Sequence, residues 1–251
     1  SSDLSSSTKN NPSKLKNLLS DSPDTQALLQ CLQKMGIHIE QKGQVTEVWG
    51  TLHAPTDVLY AANSGQILRF LGAICSLFPT YTVITGDSSL RNMRPIQPLI
   101  DAICGLRGFA DSYGCNGRAP LIVKGPLKGG KVTFCGKDSQ PVSGMLIAAA
   151  FSPYSSELIV QNPGEKPWVD VTLDWFKRLH ISYQREEYSS YLLKGSSHIS
   201  PFTYEVPADF SSLIYIVALA LITRSSLILE GIDFEDIQGD KLVLDWLESM
   251  Q

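Results

Sequence analysis

The sequence predicts an α+β fold of repeated β-α-β-α-β-β units, and three observations carry that prediction. The first is a fixed period. Ser22-Pro23-Asp24-Thr25, Arg94-Pro95-Ile96, Lys166-Pro167-Trp168-Val169-Asp170 and Gln238-Gly239-Asp240 set Pro23, Pro95, Pro167 and Gly239 72 residues apart. A period above the solenoid range means a large unit repeated a few times. The second is that each period holds two helix patterns, an outer amphipathic one and an inner, more apolar one. The third is a series of short strand-like runs between them.

The outer helices open on the periodic stretches, where proline in the first turn is a start signal. The first is predicted over 23–35, with Ala27, Leu28, Cys31, Leu32 and Met35 on one face and Gly36 as the stop. Leu99, Ile100, Ile103 and Leu106 form the second stripe, with Gly105 and Gly108 near its end. Val169, Leu173, Phe176 and Leu179 form the third, and a fourth runs from Leu242. The inner helices open at Asn63-Ser64-Gly65, Asp138-Ser139-Gln140 and Asp209-Phe210-Ser211, all N-cap signals. Ile67, Leu68, Leu71, Ile74 and Cys75 continue the first; Val142, Met145, Leu146 and Ala149 continue the second. The third, apolar over 213–222, is expected to be buried on all sides and is too short to span a bilayer.

Strands are expected at 45–49, 81–85, 121–123, 131–134, 158–161, 191–194 and 227–229, with Pro126 and Gly129-Gly130 punctuating a hairpin. The second and third copies are complete. In the first, the inner-helix position falls on the polar residues 1–11, so a strand and helix are expected to be missing there. The fourth copy is cut short, as in part of a longer protein. The expected division is a polar segment over 1–13, a three-repeat domain over 14–232 and the start of a return into a second domain over 233–251.

Composition narrows the function classes. The chain has 251 residues, 43% hydrophobic and 18% charged, enough for one or two domains with real cores. A net charge of −4 gives no case for nucleic-acid binding by bulk charge. A phosphorylated substrate would have to be held by a few local cations. Cys31, Cys75, Cys104, Cys115 and Cys135 lack CxxC spacing and are expected to be buried free thiols of a reducing compartment. Four scattered histidines suggest no metal site.

Five motifs carry a resemblance. Ala62-Asn63-Ser64-Gly65-Gln66-Ile67-Leu68-Arg69 resembles the Gly-Asn-Ala/Ser-Gly-Thr-x-x-Arg motif of the enolpyruvyl transferases. Residues 86–96, ending in Arg94-Pro95-Ile96, resemble their second signature. Asp138-Ser139-Gln140 resembles Ser-Ser-Gln, and Lys166-Pro167-Trp168-Val169-Asp170-Val171-Thr172-Leu173 resembles Lys-Pro-Tyr-Ile-Asp-Ile-Thr-Leu. Asp209-Phe210-Ser211-Ser212 resembles Asp-x-Ser-Ser. The marks follow family order from about Lys14 onward, with a bacterial and chlamydial cast.

The resemblance implies an inside-out α/β barrel, with units arranged around a pseudo-threefold axis in one of two such domains. It implies transfer of the enolpyruvyl group of phosphoenolpyruvate to the 5-hydroxyl of shikimate 3-phosphate, without cofactor or metal. A cytoplasmic monomer is expected, with no nucleic-acid or membrane partner. Gly65, Arg94 and Gln140 would meet phosphoenolpyruvate. Asp138, Ser139, Gln140, Glu165 and Trp168 would meet shikimate 3-phosphate, while Asn63 and Arg69 would give structural support. The family's N-terminal Lys-Ser…Arg motif and its acid–base carboxylates are not found, so the chain alone is expected to be inactive.

Three residues depart from the family pattern. Asp138 stands for the first serine of Ser-Ser-Gln, Glu165 for the serine before Lys-Pro, and Gln66 for the threonine after the motif glycine. The first two put negative charge where the family places phosphate-binding hydroxyls. Alternatives kept open are a non-catalytic scaffold of the same fold, a UDP-N-acetylglucosamine enolpyruvyl transferase relative and an RNA 3′-phosphate cyclase relative.

Overall fold

Helix starts set the frame. The computed structural model describes residues 7–114 and 116–249. Ser22 caps α1 (Pro23–Lys34), its hydroxyl accepting from Thr25 N–H, and Pro23 takes the first helical position. Ser64 caps α2 (Gly65–Cys75), Asp87 caps α3 (Ser88–Asn92) and Asp138 caps α5 (Ser139–Phe151). Lys166 opens α6 (Lys166–Arg178), and Asp209 caps α7 (Phe210–Thr223) through the Ser211 and Ser212 N–H groups. A 3-10 turn (Gly239–Lys241) leads into α8 (Leu242–Ser249). The second outer helix departs from expectation: α4 (Gln97–Gly105) starts two residues after Pro95. Ile96 N–H is taken by Gly117 O at 2.8 Å, which holds Pro95 outside the helix.

Among the described residues twelve strands form three four-stranded sheets with identical wiring. In one sheet, β4 (Leu59–Tyr60) runs parallel to β5 (Thr82–Thr85). Then β7 (Leu121–Lys124) and β6 (Phe109–Ser112) add antiparallel. In the second, β8 (Gly130–Cys135) is parallel to β9 (Ser156–Gln161), followed by β11 (Ser190–Leu193) and β10 (Tyr183–Glu186). The third repeats the order with β12 (Thr203–Glu205), β1 (Ser13–Lys16), β3 (Val45–Gly50) and β2 (Ile37–Lys42). Its parallel pair joins distant parts of the chain, Lys14 facing Thr203 and Lys16 facing Glu205. Each of the other parallel pairs is bridged by an inner helix, α2 or α5. Among the described residues no helix bridges β12 and β1.

The two inner helices press together at the centre of the core. Leu68, Leu71, Met145 and Leu146 are fully buried there, with Leu99 and Ile103 of α4 and Leu121 of β7. Gly144 permits the approach, since a Cβ on it would lie 3.2 Å from both Ala73 Cβ and Arg69 O. Trp175 of α6 meets Tyr204 of β12 edge-on with ring centroids 4.6 Å apart.

Four expectations are corrected. The 213–222 helix forms as α7, but only Phe210 and Leu213 of it are buried, and Tyr215 and Ile222 are 79% and 81% exposed. An apolar run implies a cover without saying which residues provide it. Among the described residues α7 meets the segment around the 3-10 turn, where Gln238 Oε1 accepts from Phe210 N–H at 3.0 Å. Residues 227–229 form no strand. Pro126 and Gly129-Gly130 mark no hairpin, because β7 and β8 belong to different sheets and this segment crosses between them. Asn63 is exposed, and its neighbour Ser64 makes the cap. Short polar strands such as β12 and β10 carry too few apolar residues to alternate visibly.

The thiols divide. Cys31 and Cys75 are buried, Cys104 and Cys135 are exposed, and Cys115 lies outside the described residues, as do residues 1–6 of the polar segment. Cys104 and Cys135 face outward from α4 and β8, so the expectation of burial fails for them. Burial pushes the Cys75 thiol up from its ordinary 9.0 to about 12. The fold therefore favours the neutral thiol. That contribution is whole below pH 9 and is lost as pH rises toward about 12. With a maleimide or an aromatic disulfide at pH 8, peptide mapping will find Cys104 and Cys135 labelled while Cys31 and Cys75 stay protected until the chain unfolds.

Tyr191 of β11 is buried, and its hydroxyl finds no hydrogen-bond partner among the described residues. Burial drives its pKa up to about 12. An unpaired buried hydroxyl costs about 1 kcal/mol or more. Tyr191→Phe is therefore expected to raise the denaturant midpoint, by about 1 kcal/mol of stability, with an unchanged slope. A loss of stability would mean that the hydroxyl has a partner after all.

Candidate functional site

Arg69 lies one turn into α2, and its side chain crosses toward the start of α5. It is 3% exposed. Nη1 donates to Gln140 Oε1 at 2.6 Å, and Nη2 donates to Pro95 O at 2.7 Å. Nη2 also lies 3.2 Å from Asp138 Oδ2. One guanidinium thus ties α2 to the cap of α5 and to the lead-in of α4. Burial pulls its pKa below the ordinary value. Asp138 works against that shift, Arg94 adds to it and Glu165 opposes it. Gly65 leaves the guanidinium its room: a Cβ there would sit 2.6 Å from Arg69 Nη1 and 3.5 Å from Gln140 Oε1.

The start of α5 is crowded with carboxylates. Asp138 Oδ1 accepts from Gln140 N–H at 2.9 Å. Glu165 Oε2, from the loop between β9 and α6, accepts from Ser139 N–H at 3.0 Å and from Ser139 Oγ at 2.8 Å. Ser139 is 3% exposed, whereas Glu165 is open to solvent. The loop is pinned to hold that reach. Gly164 N–H donates to Gly136 O at 3.0 Å, and a Cβ on Gly164 would lie 2.4 Å from Lys137 O. Glu165 itself is left-handed, with φ 46° and ψ 41°. Its carbonyl accepts from Trp168 N–H at 3.0 Å in the first turn of α6.

A groove of about 570 Å³ runs from this point between α2, α5 and α6. Its polar end is Gln66, Ser139, Gln140 and Glu165, and its body is Phe70, Ile147, Phe151, Trp168 and Trp175. Trp168 stays 39% exposed. The structure brings Gly65, Arg69, Asp138, Ser139, Gln140, Glu165 and Trp168 into one neighbourhood. Arg94 is exposed and makes no hydrogen bond or ion pair among the described residues. The sequence reading missed the Pro95 carbonyl as a partner of Arg69 and the tie from Glu165 to Ser139. The first hides in a backbone atom, and the second depends on a loop conformation that no motif specifies. Among the described residues no group of three His, Cys, Asp or Glu side chains could hold a metal. No helix among them is long and apolar enough to cross a membrane.

Three identically wired sheets, with helix starts gathered on one buried arginine, define the inside-out α/β domain of the enolpyruvyl transferases. An EPSP synthase structure from Acinetobacter baumannii shares this fold with a TM-score of 0.75 at 24% identity, over 90% of this chain and 51% of that one. A family model for EPSP synthase (3-phosphoshikimate 1-carboxyvinyltransferase) matches residues 4–251, and the chain belongs to that family. It is 37% identical over 234 residues to the 3-phosphoshikimate 1-carboxyvinyltransferase of Chlamydia trachomatis serovar D, covering 91% of this chain and 52% of the relative. A relative of the same description from Acetivibrio thermocellus is 36% identical over 236 residues, 93% of this chain and 55% of its own length. The chain spans about half the length of these relatives.

Proposed function

We propose that this chain supplies a substrate-binding half of a 3-phosphoshikimate 1-carboxyvinyltransferase. Protonation at C3 of phosphoenolpyruvate makes C2 electrophilic. The 5-hydroxyl of shikimate 3-phosphate adds there and gives up its proton. The tetrahedral adduct then expels phosphate and loses a proton from C3, which restores the enol double bond. Such a site needs fixed donors aimed at phosphate and carboxylate oxygens. The observation that carries the reading is the meeting of the α2 and α5 starts at one groove end, with Ser139, Gln140 and Trp168 along its wall. Gly65, Arg94 and Gln140 are assigned to phosphoenolpyruvate. Asp138, Ser139, Gln140, Glu165 and Trp168 are assigned to the environment of shikimate 3-phosphate. The unpaired Arg94 guanidinium has the forked geometry that binds a carboxylate or phosphate.

In this reading the acid–base carboxylates and the other cations come from a second domain of a longer protein, a cytoplasmic monomer. The exposed apolar side of α7 fits a cover of that origin. The test is a titration of the amide spectrum with phosphoenolpyruvate and shikimate 3-phosphate. Saturable shifts are expected at Gly65, Arg94, Ser139 and Gln140, together with a fluorescence change lost in Trp168→Phe. No saturable change up to millimolar ligand, in this chain or in its Glu165→Ser variant, overturns the assignment.

A further inference from the structure

The geometry points to Glu165 as a tethered anion that occupies the start of α5 and sets this chain's selectivity against ligand phosphate. A helix start offers free N–H groups and the positive end of the helix dipole, which is why anions collect there. At α5 both of the first two N–H groups are already taken by carboxylates of the chain itself, Ser139 by Glu165 and Gln140 by Asp138.

The two carboxylates differ in one respect. Asp138 is paired with the buried guanidinium of Arg69 at 3.2 Å. Glu165 has no ion pair among the described residues, and its carboxylate accepts from the N–H and O–H of one serine. The same contact leaves Ser139 3% exposed beneath an open Glu165, so the carboxylate acts as a cover over both donors. The cover is preorganised, because Gly164 is pinned to Gly136 and Lys137 and Glu165 holds a left-handed backbone.

A phosphate oxygen and Glu165 Oε2 therefore exclude each other on Ser139. Until the side chain swings away, an approaching dianion also meets an unpaired like charge a few ångströms off. The assignment of shikimate 3-phosphate as the ligand rests on the function proposed above; the competition for Ser139 does not.

The experiment compares the unmodified chain with Glu165→Ser, which vacates the donors, and Glu165→Gln, which keeps an acceptor and removes the charge. Circular dichroism checks that each is folded. Three readouts are used: hydrogen exchange and chemical shift of the Ser139 amide without ligand, affinity for inorganic phosphate, and affinity for shikimate 3-phosphate. In Glu165→Ser the Ser139 amide should exchange faster, and both ligands should bind at least tenfold more tightly than to the unmodified chain. Glu165→Gln should fall between.

Tighter phosphate binding without shikimate 3-phosphate binding supports the inference and removes the proposed substrate. Equal affinity of all three proteins for shikimate 3-phosphate keeps the substrate and overturns the inference. Failure of Glu165→Ser to bind either ligand overturns both.

Discussion

Arg69→Met is expected to lower the stability of this protein by about 3 kcal/mol. Methionine fills much of the same stem volume, so the loss isolates what the guanidinium does. It leaves Pro95 O and Gln140 Oε1 without their donor inside the protein, and it leaves Asp138 without its cation. An unsatisfied buried acceptor costs about 1–3 kcal/mol. Part of the cost is spared because Asp138 is partly open to water. Arg69→Lys keeps the charge but cannot reach three partners from one planar fork, so it should recover less than half of the loss. Urea unfolding monitored by tryptophan fluorescence measures both. A midpoint for Arg69→Met matching the unmodified protein would mean that the three elements hold one another without the guanidinium.

Gly125→Ala is expected to be nearly as severe, about 3 kcal/mol, for a reason that has nothing to do with conformational freedom. A Cβ at Gly125 would sit 1.8 Å from Ser76 O and 3.1 Å from Phe78 O, both backbone atoms. Backbone cannot rotate aside as a side chain can, so the segment leaving β7 must move off the end of α2. That motion strains two bonds made there, Gly125 N–H to Phe78 O at 2.7 Å and Leu127 N–H to Ser76 O at 3.1 Å. Differential scanning calorimetry should show a fall in Tm of roughly 5 °C or more for a change of this size. An unchanged Tm would place the crossing further from α2 than these distances say.

Helices were legible in the sequence because their signals are local. Asp138 and Asp209 cap the helices that they precede, and the stripes Ala27–Cys31 and Val169–Leu173–Phe176 face the core as their spacing requires. The 72-residue period announced repeated units, and two of these are complete in the structure as β4 to β7 and β8 to β11. Strand partners were not legible. Pro126 and Gly129-Gly130 look the same whether the chain turns back on its own sheet or leaves for the next. The candidate site was visible as motifs and hidden as contacts. Glu165 could be recognised as a departure from the family pattern. Its grip on Ser139 depends on a left-handed residue between Gly164 and Lys166, which composition does not encode.

The pairing of β1 with β12 has a kinetic consequence. Lys14 is synthesised long before its partner Thr203, so the β12-β1-β3-β2 sheet keeps a bare edge at β1 until most of the described chain exists. The other two sheets close from strands near one another in sequence and can form beforehand. Long-range parallel pairing is the slowest kind to nucleate, since the loop must be ordered before any contact rewards it. Closure of this sheet therefore waits for β12, and during that interval the exposed edge of β1 is the place most open to mispairing with another chain.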